Sequence, residues 1–318
     1  VGEPNSISSE IIFKSWNKIS NKNLKPILIG NKNILKKQML TLGYKFFFKN
    51  INKKNFLNDE KKNIIPIINI KFKQKKSFDV ISSKSNKFIN DSFNTALNLS
   101  KNKNCIGIIN CPIKKETFLK SKFKGITELI SHKLNSLNKE VMLIYNKKIS
   151  VCPITTHESI KNVPKNITTK KIINKVRTID NFYKKKLNKN IKFAITGLNP
   201  HCYSGNAVSE EQKKIIPAIN FLKKNNIFID GPFSADSFFT KNNIKKYDVL
   251  IGMYHDQVLT PIKALFGFDS INITLGLPIL RISPDHGVGE DIAGELRLIE
   301  FVNDRSTTNV IKKIKQAH

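Results

Sequence analysis

Short apolar runs alternate with helix-patterned stretches along the whole of this sequence, and that alternation constrains the fold more than any other feature. The runs Pro26–Gly30, Ile64–Phe72, Cys105–Asn110, Val141–Tyr145, Phe193–Gly197, Ile227–Gly231 and Val249–Met253 have strand length and are rich in aliphatic side chains. Between them the apolar spacing predicts helices over Asn86–Asn102, Thr127–Ser136, Ile167–Lys186 and Ser209–Lys224. Ser209 followed by Gln212 has the spacing of a capping box for the last of these. Strands that alternate with helices imply an α/β protein with a largely parallel sheet. No repeat of fixed period runs through the chain. Its 318 residues allow one large domain or two ordinary ones, with ample core. A boundary between two lobes is expected near 112–126, where Cys111-Pro112 ends a strand.

Charge raises a different possibility. The chain carries 55 Lys+Arg against 24 Asp+Glu, a formal net charge of +31, which is the electrostatic footprint of a nucleic-acid binder. Only four of those bases are Arg (Arg177, Arg281, Arg297, Arg305), although Arg is the better fork for phosphate. The excess is Lys mixed with Asn and Ile over most of the chain, so it reads as compositional drift at solvated positions. Nucleic-acid binding stays as the alternative. No run approaches the ~18 apolar residues of a membrane helix, and no charged-then-apolar leader opens the chain, so a soluble protein is expected. The first residue is Val rather than Met, as in a trimmed N-terminus. Cys105, Cys111, Cys152 and Cys202 lack the CxxC spacing of a structural zinc site, which suits a reduced, cytoplasmic compartment.

Residues 251–300 escape the drift: they hold three bases (Lys263, Arg281, Arg297) against seven acids. Chemistry is expected there first. In three places an apolar strand runs through a turn to a histidine: Phe193–Gly197 to His201, Val249–Met253 to His255, and Val151–Ile154 to His157. Ligands of open α/β sheets bind beyond the carboxyl ends of strands. Three imidazoles there suit a divalent ion such as Zn²⁺, although each alone could be a polar residue bonded to a nearby carbonyl. Lys263 and Arg281 are candidates for binding an anionic group, and Arg281, set among Ile279, Leu280 and Ile282, needs a partner of some kind. Ordinary surface charge remains the competing reading for Lys263. The sequence contains no GxGxxG after a strand, no GxxxxGK[ST], no GxSxG and no HExxH.

The segments GLNPH (197–201), DGPFSADSFF (230–239), YDVLIGMYHDQ (247–257), FGFDSINITLGLPILRISPDHG (266–287) and DIAG (291–294) together resemble the 4-hydroxythreonine-4-phosphate dehydrogenase family of pyridoxal-phosphate biosynthesis. GEPNSISSEI (2–11), PILIG (26–30), NCPIKKETF (110–118), FKGITELIS (123–131) and THESIKNVPKNIT (156–168) continue the likeness in family order. The resemblance covers nearly the whole chain, and YHDQ and NITLGLP are its most specific motifs.

The resemblance implies two α/β/α lobes like those of isocitrate and isopropylmalate dehydrogenases, with the site in the cleft between them. The first lobe would be 1–120 with 275–318 and the second 121–274, and a strand expected ahead of the GEP turn is absent from this sequence. It implies a divalent metal (Zn, Mg or Co) on His157, His201 and His255, and substrate contacts at Thr127, Lys263, Asn272 and Arg281. It further implies NAD or NADP as hydride acceptor, and a homodimer in which one metal histidine comes from the partner subunit. The reaction would oxidise 4-phosphohydroxy-L-threonine to a β-keto acid that loses CO₂. Asp236 and Asp256 are candidates for proton transfer or for orienting a metal-bound imidazole, and equally for helix capping.

Four departures from the family pattern stand out. Gly125-Ile126-Thr127-Glu128 replaces Gly-His-Thr-Glu, so a substrate-contacting imidazole becomes an apolar side chain that cannot hydrogen-bond. Ser6-Ile7-Ser8-Ser9 loses both glycines of the opening motif, Cys202-Tyr203-Ser204 replaces Ala-Gly-Glu, and Val288 replaces a Thr. A shifted substrate, such as 4-phosphoerythronate, or a metal-binding remnant with slack catalysis would also accommodate these changes.

Overall fold

Apolar runs become buried strands in the computed structural model, which describes residues 2–19, 25–51, 63–102, 104–120, 122–202 and 208–295. In chain order the strands are β1 (Leu28–Gly30), β2 (Phe47–Asn50), β3 (Ile64–Asn69), β4 (Gly107–Ile109), β5 (Val141–Tyr145), β6 (Ser150–Thr155), β7 (Phe193–Thr196), β8 (Ile229–Phe233), β9 (Val249–Tyr254), β10 (Ile271–Leu275) and β11 (Leu280–Pro284). The described residues divide into two compact units, one within Val1–Leu129 and Ile279–Lys312, the other within Ile130–Pro278. The fold class is therefore α/β, as the alternation predicts.

The first unit contains a parallel three-stranded sheet ordered β1-β3-β2. Helix Lys32–Thr41 follows β1 directly and is started by Asn31, whose side chain accepts from the Ile34 N–H at 3.0 Å. Phe13, from helix Ser8–Asn17, is fully buried with Leu28, Leu35, Ile65 and Ile67, and packs its ring against Tyr44, Phe46 and Phe48. That helix carries a Ser-rich first turn that reads locally as a loop, so its apolar face is the signal that counts. Also in this unit, β11 pairs in parallel with β4, setting Arg281 opposite Ile108.

In the second unit the strand order is β10-β5-β6-β9-β7-β8. β10 pairs antiparallel with β5 and β5 antiparallel with β6, whereas β6, β9, β7 and β8 pair in parallel. Every residue of β6 and β7 is buried, which is the pattern of a sheet covered on both faces. The long helix Thr169–Leu187 covers one part of it, capped by the Thr168 hydroxyl, which accepts from Lys171 N–H at 3.2 Å. Helix His255–Phe266 buries Val258, Leu259 and Ile262 against Ile144, Val151, Ala194 and Leu250. Its interior Pro261 and its lack of a capping side chain hide it from a sequence reading.

Several predicted elements need adjustment. The Ile64–Phe72 run stops pairing at Asn69, and Ile227–Gly231 shifts to Ile229–Phe233. Ser209–Lys224 starts with a π-helical turn at Glu211–Ile215 before the α-helix Ile216–Lys224, with Ser209 Oγ accepting from Gln212 N–H at 3.4 Å. β10 and β11 lie in the Gly- and Pro-interrupted segment whose strand character is masked by those residues. The four cysteines are free thiols. Lys175 is the one buried lysine among the described residues, its ammonium donating to the Pro153 carbonyl of β6 at 3.0 Å; the other described lysines are half-buried or exposed.

Candidate functional site

Parallel pairing of β6, β9 and β7 brings the carboxyl ends of these three strands side by side. His157 follows β6 by two residues, His255 begins the helix directly after β9, and His201 lies in the turn Pro200–Cys202 after β7. The rings of His157 and His255 are 6.2 Å apart between centroids and line an open pocket of about 200 Å³ with Thr156, Glu158, Ile160, Tyr254 and Asp256. His255 Nδ1 is 2.6 Å from Asp256 Oδ1. A carboxylate at Nδ1 selects the tautomer with the proton on that nitrogen, which makes Nε2 the lone-pair donor.

His201 is exposed and sits in the left-handed region at φ 53°, followed by Cys202 at φ 55°. Two consecutive non-glycine residues there store strain that the surrounding loop must hold. Glu211 holds it. Its buried carboxylate accepts from the Leu198 N–H at 2.8 Å, from the Asn199 N–H at 2.9 Å and from Asn199 Nδ2 at 3.0 Å. Burial pushes its pKa up, but these bonds outweigh it and hold the carboxyl below its ordinary value. Gly197 is required beneath them, since a Cβ there would stand 2.9 Å from Cys202 Sγ and 3.0 Å from Glu211 Oε1. Asp236 neighbours this loop: chiefly the Ser234 hydroxyl, 2.6 Å away, and also His201 hold its carboxyl low.

Gln257 ties the loop to β9. Its Oε1 accepts from the Met253 N–H at 2.6 Å and from the Thr196 hydroxyl at 2.9 Å, and its Nε2 donates to the Gly197 carbonyl at 2.9 Å. One side chain thus links the strand end that carries His255 to the one that leads to His201. Neither Gln257 nor Glu211 is singled out by a sequence reading, although Gln257 lies within the YHDQ motif.

Imidazoles fit a divalent ion by their chemistry. Among the described residues, however, no group of three His, Cys, Asp or Glu side chains is close enough to hold one within a single chain. The structure brings the rings of His157 and His255 together and places His201 beside Asp236. Of the expected substrate contacts, Lys263 lies in the last turn of helix His255–Phe266, where its ammonium is 5.7 Å from the Phe268 ring centre. Asn272 lies in β10, and its buried Oδ1 meets no hydrogen-bond donor among the described residues.

The first unit holds the other cluster. Arg281 is 3% exposed, yet its Nε donates to Asn110 Oδ1 at 2.7 Å and its Nη1 to Thr127 Oγ1 at 3.3 Å. Burial pushes its pKa down to about 10, partly opposed by Glu128. Ile126 is buried at the start of helix Ile126–Lys133, next to Thr127. Tyr203 and Ser204, two of the departures from the expected pattern, lie outside the described residues.

Strand-end histidines on the parallel part of the sheet in one unit, and a buried arginine in the other, define a two-unit α/β protein with histidines where open α/β sheets bind ligands. A solved structure of that fold, a 4-hydroxythreonine-4-phosphate dehydrogenase from Klebsiella pneumoniae, matches with TM-score 0.77 at 23% identity, covering 99% of this chain and 96% of that one. The chain belongs to the pyridoxal phosphate biosynthetic protein PdxA family, whose sequence model matches residues 22–311. Two curated relatives, both 4-hydroxythreonine-4-phosphate dehydrogenases, agree. That of Sulfurihydrogenibium sp. is 37% identical over 299 residues, 93% of this chain and 91% of its own length. That of Prosthecochloris aestuarii is 30% identical over 317 residues, 93% of this chain and 90% of its own. These relatives place the chain in a family of oxidoreductases. No helix among the described residues is long and apolar enough to cross a membrane.

Proposed function

We propose that this chain oxidises 4-phosphohydroxy-L-threonine with NAD⁺ or NADP⁺ in pyridoxal 5′-phosphate biosynthesis. The observation that carries the reading is the placement of His157, His255 and His201 at three adjacent strand ends of a family-typical chain. The secondary alcohol would become a ketone, with the carbinol hydride passing to the nicotinamide that the cofactor would supply and the hydroxyl proton to solvent. Because the ketone is β to the carboxylate, CO₂ would leave with its bonding electrons passing to the enolate, which takes a proton from solvent at the former α-carbon to give 3-amino-2-oxopropyl phosphate.

His157, His201 and His255 would hold the divalent ion in a homodimer, with one of the three supplied across the subunit interface. When bound, the ion lowers the pKa of the substrate hydroxyl and the nicotinamide supplies the hydride acceptor. Asp256 keeps the His255 ring in the tautomer that ligation needs. Arg281, Lys263, Asn272 and Thr127 bind the phosphate and carboxylate and fix the reacting carbon. Asp236 is the group available for proton transfer on the His201 side. The working compartment is the cytoplasm.

A second reading follows from Ile126, which is 7% exposed and offers no hydrogen bond where a substrate-binding imidazole is expected. Oxidation of a phosphorylated hydroxy acid without the amino group, such as 4-phosphoerythronate, would tolerate that loss. Both readings are tested by metal analysis of the purified protein and by NAD(P)⁺ reduction on the two substrates. The first expects a bound divalent ion, turnover of 4-phosphohydroxythreonine, and loss of turnover in His255→Ala. Wild-type turnover in His255→Ala, or a metal-free active protein, refutes the metal reading. Preference for 4-phosphoerythronate establishes the second.

A further inference from the structure

Arg281 and Asn110 are 171 residues apart in sequence and touch in the structure. Asn110 stands just beyond β4, 5% exposed, with its backbone N–H bonded to the Ile282 carbonyl at 3.1 Å. Its side-chain Nδ2 donates to the Cys111 carbonyl at 2.9 Å, which turns Oδ1 toward Arg281 Nε. The opposite amide orientation would face two donors and two acceptors against one another, so the network fixes the assignment. A guanidinium is planar, and seating it at Nε and at Nη1, here on Thr127, fixes its rotation about the side-chain stem. Engaging Nε also withdraws the side-on edge, Nε with Nη2, from bidentate contact with a ligand. Both of these seats are neutral oxygens, an amide and a hydroxyl, so they orient the cation without cancelling its charge.

We propose that Asn110 is a positioning residue for anion recognition: it sets the plane of the Arg281 guanidinium that meets a phosphate or carboxylate. This inference rests on the reading of Arg281 as an anion-binding group. It assigns to Asn110 a role that no substrate contact of its own requires.

The test uses the full chain and inorganic phosphate as the probe, with binding measured calorimetrically at physiological ionic strength to screen the general attraction of a +31 protein. Asn110→Ala is expected to weaken phosphate binding roughly tenfold, the scale of one charge-assisted hydrogen bond. In the Arg281→Met background the same change is expected to shift binding by less than about twofold, because a residue that acts through Arg281 has nothing left to orient. With the phosphorylated substrate, Asn110→Ala raises KM several-fold more than it lowers kcat. Asn110→Asp, of the same shape, covers the case in which the Ala variant fails to fold. It places a carboxylate on Nε and is expected to weaken phosphate binding as well. Equal losses from Asn110→Ala in both backgrounds, or wild-type phosphate affinity in the Asn110 variants while Arg281→Met has lost it, overturn the inference. Wild-type affinity in Arg281→Met itself would instead refute the anion-binding reading on which it rests.

Discussion

Replacing Gln257 with Leu keeps the volume of the side chain and deletes all three of its bonds, to Met253, Thr196 and Gly197. At about 0.5–1.5 kcal/mol per bond the loss is about 1.5–4.5 kcal/mol, toward the upper end because the Met253 N–H and the Gly197 carbonyl are left without that partner. Thr196→Val removes the Gln257 bond together with the longer 3.4 Å contact to the Ile251 carbonyl, about 0.5–1.5 kcal/mol by the same reasoning, and should cost less in the Gln257→Leu background. Urea unfolding followed by far-UV circular dichroism reads both units, and comparison with the Trp16 fluorescence transition, which reads the first unit, separates out the second. Hydrogen exchange at the Met253 amide should accelerate in Gln257→Leu, and Co²⁺ titration should show weaker binding because the loop leading to His201 is no longer tied to the strand end of His255. Stability within about 0.5 kcal/mol of wild type, together with unchanged Met253 exchange, would refute the clamp.

Other perturbations have equally definite expectations. Phe13→Ala empties a fully buried aromatic site beside Tyr44, Phe46 and Phe48 and should destabilise the first unit by about 3–5 kcal/mol, read by Trp16 fluorescence during denaturation. Thr168→Ala removes the cap of helix Thr169–Leu187 and should cost about 0.5–2 kcal/mol in urea unfolding. Glu3 has its carboxyl pKa raised, first by burial, against the bonds from Ser85 and Asn5 that lower it. A folded-state pKa above the unfolded value gives stability that is full below the unfolded value and lost as pH rises through the folded one. Melting temperature in that acid-to-neutral window should therefore fall less steeply with pH in Glu3→Gln than in wild type; identical slopes would remove Glu3 from the account.

Much of this protein is local and could be read from its residues. The β5 strand Val141–Tyr145 has the bounds its apolar run suggests, and helix Thr169–Leu187 differs by only a residue or two, because both depend on periodicity and caps within one segment. The histidines could be noticed because each follows its own strand within a few residues. Elements were obscured wherever local signals conflict, as in helix His255–Phe266 with its internal Pro261 and in β10 and β11 among glycines and prolines.

Which strands lie side by side is a different matter. The sequence determined that His157, His201 and His255 each follow a strand within a few residues and that Arg281 is flanked by apolar residues. Only the tertiary structure decided that β6, β9 and β7 are neighbours, that Gln257 bridges two of their ends, and that Asn110 seats Arg281 from 171 residues away. Periodicity and caps act over a turn or a strand. Hydrogen bonds between distant segments form only after burial of the sheet has chosen the register that brings donor and acceptor within about 3 Å.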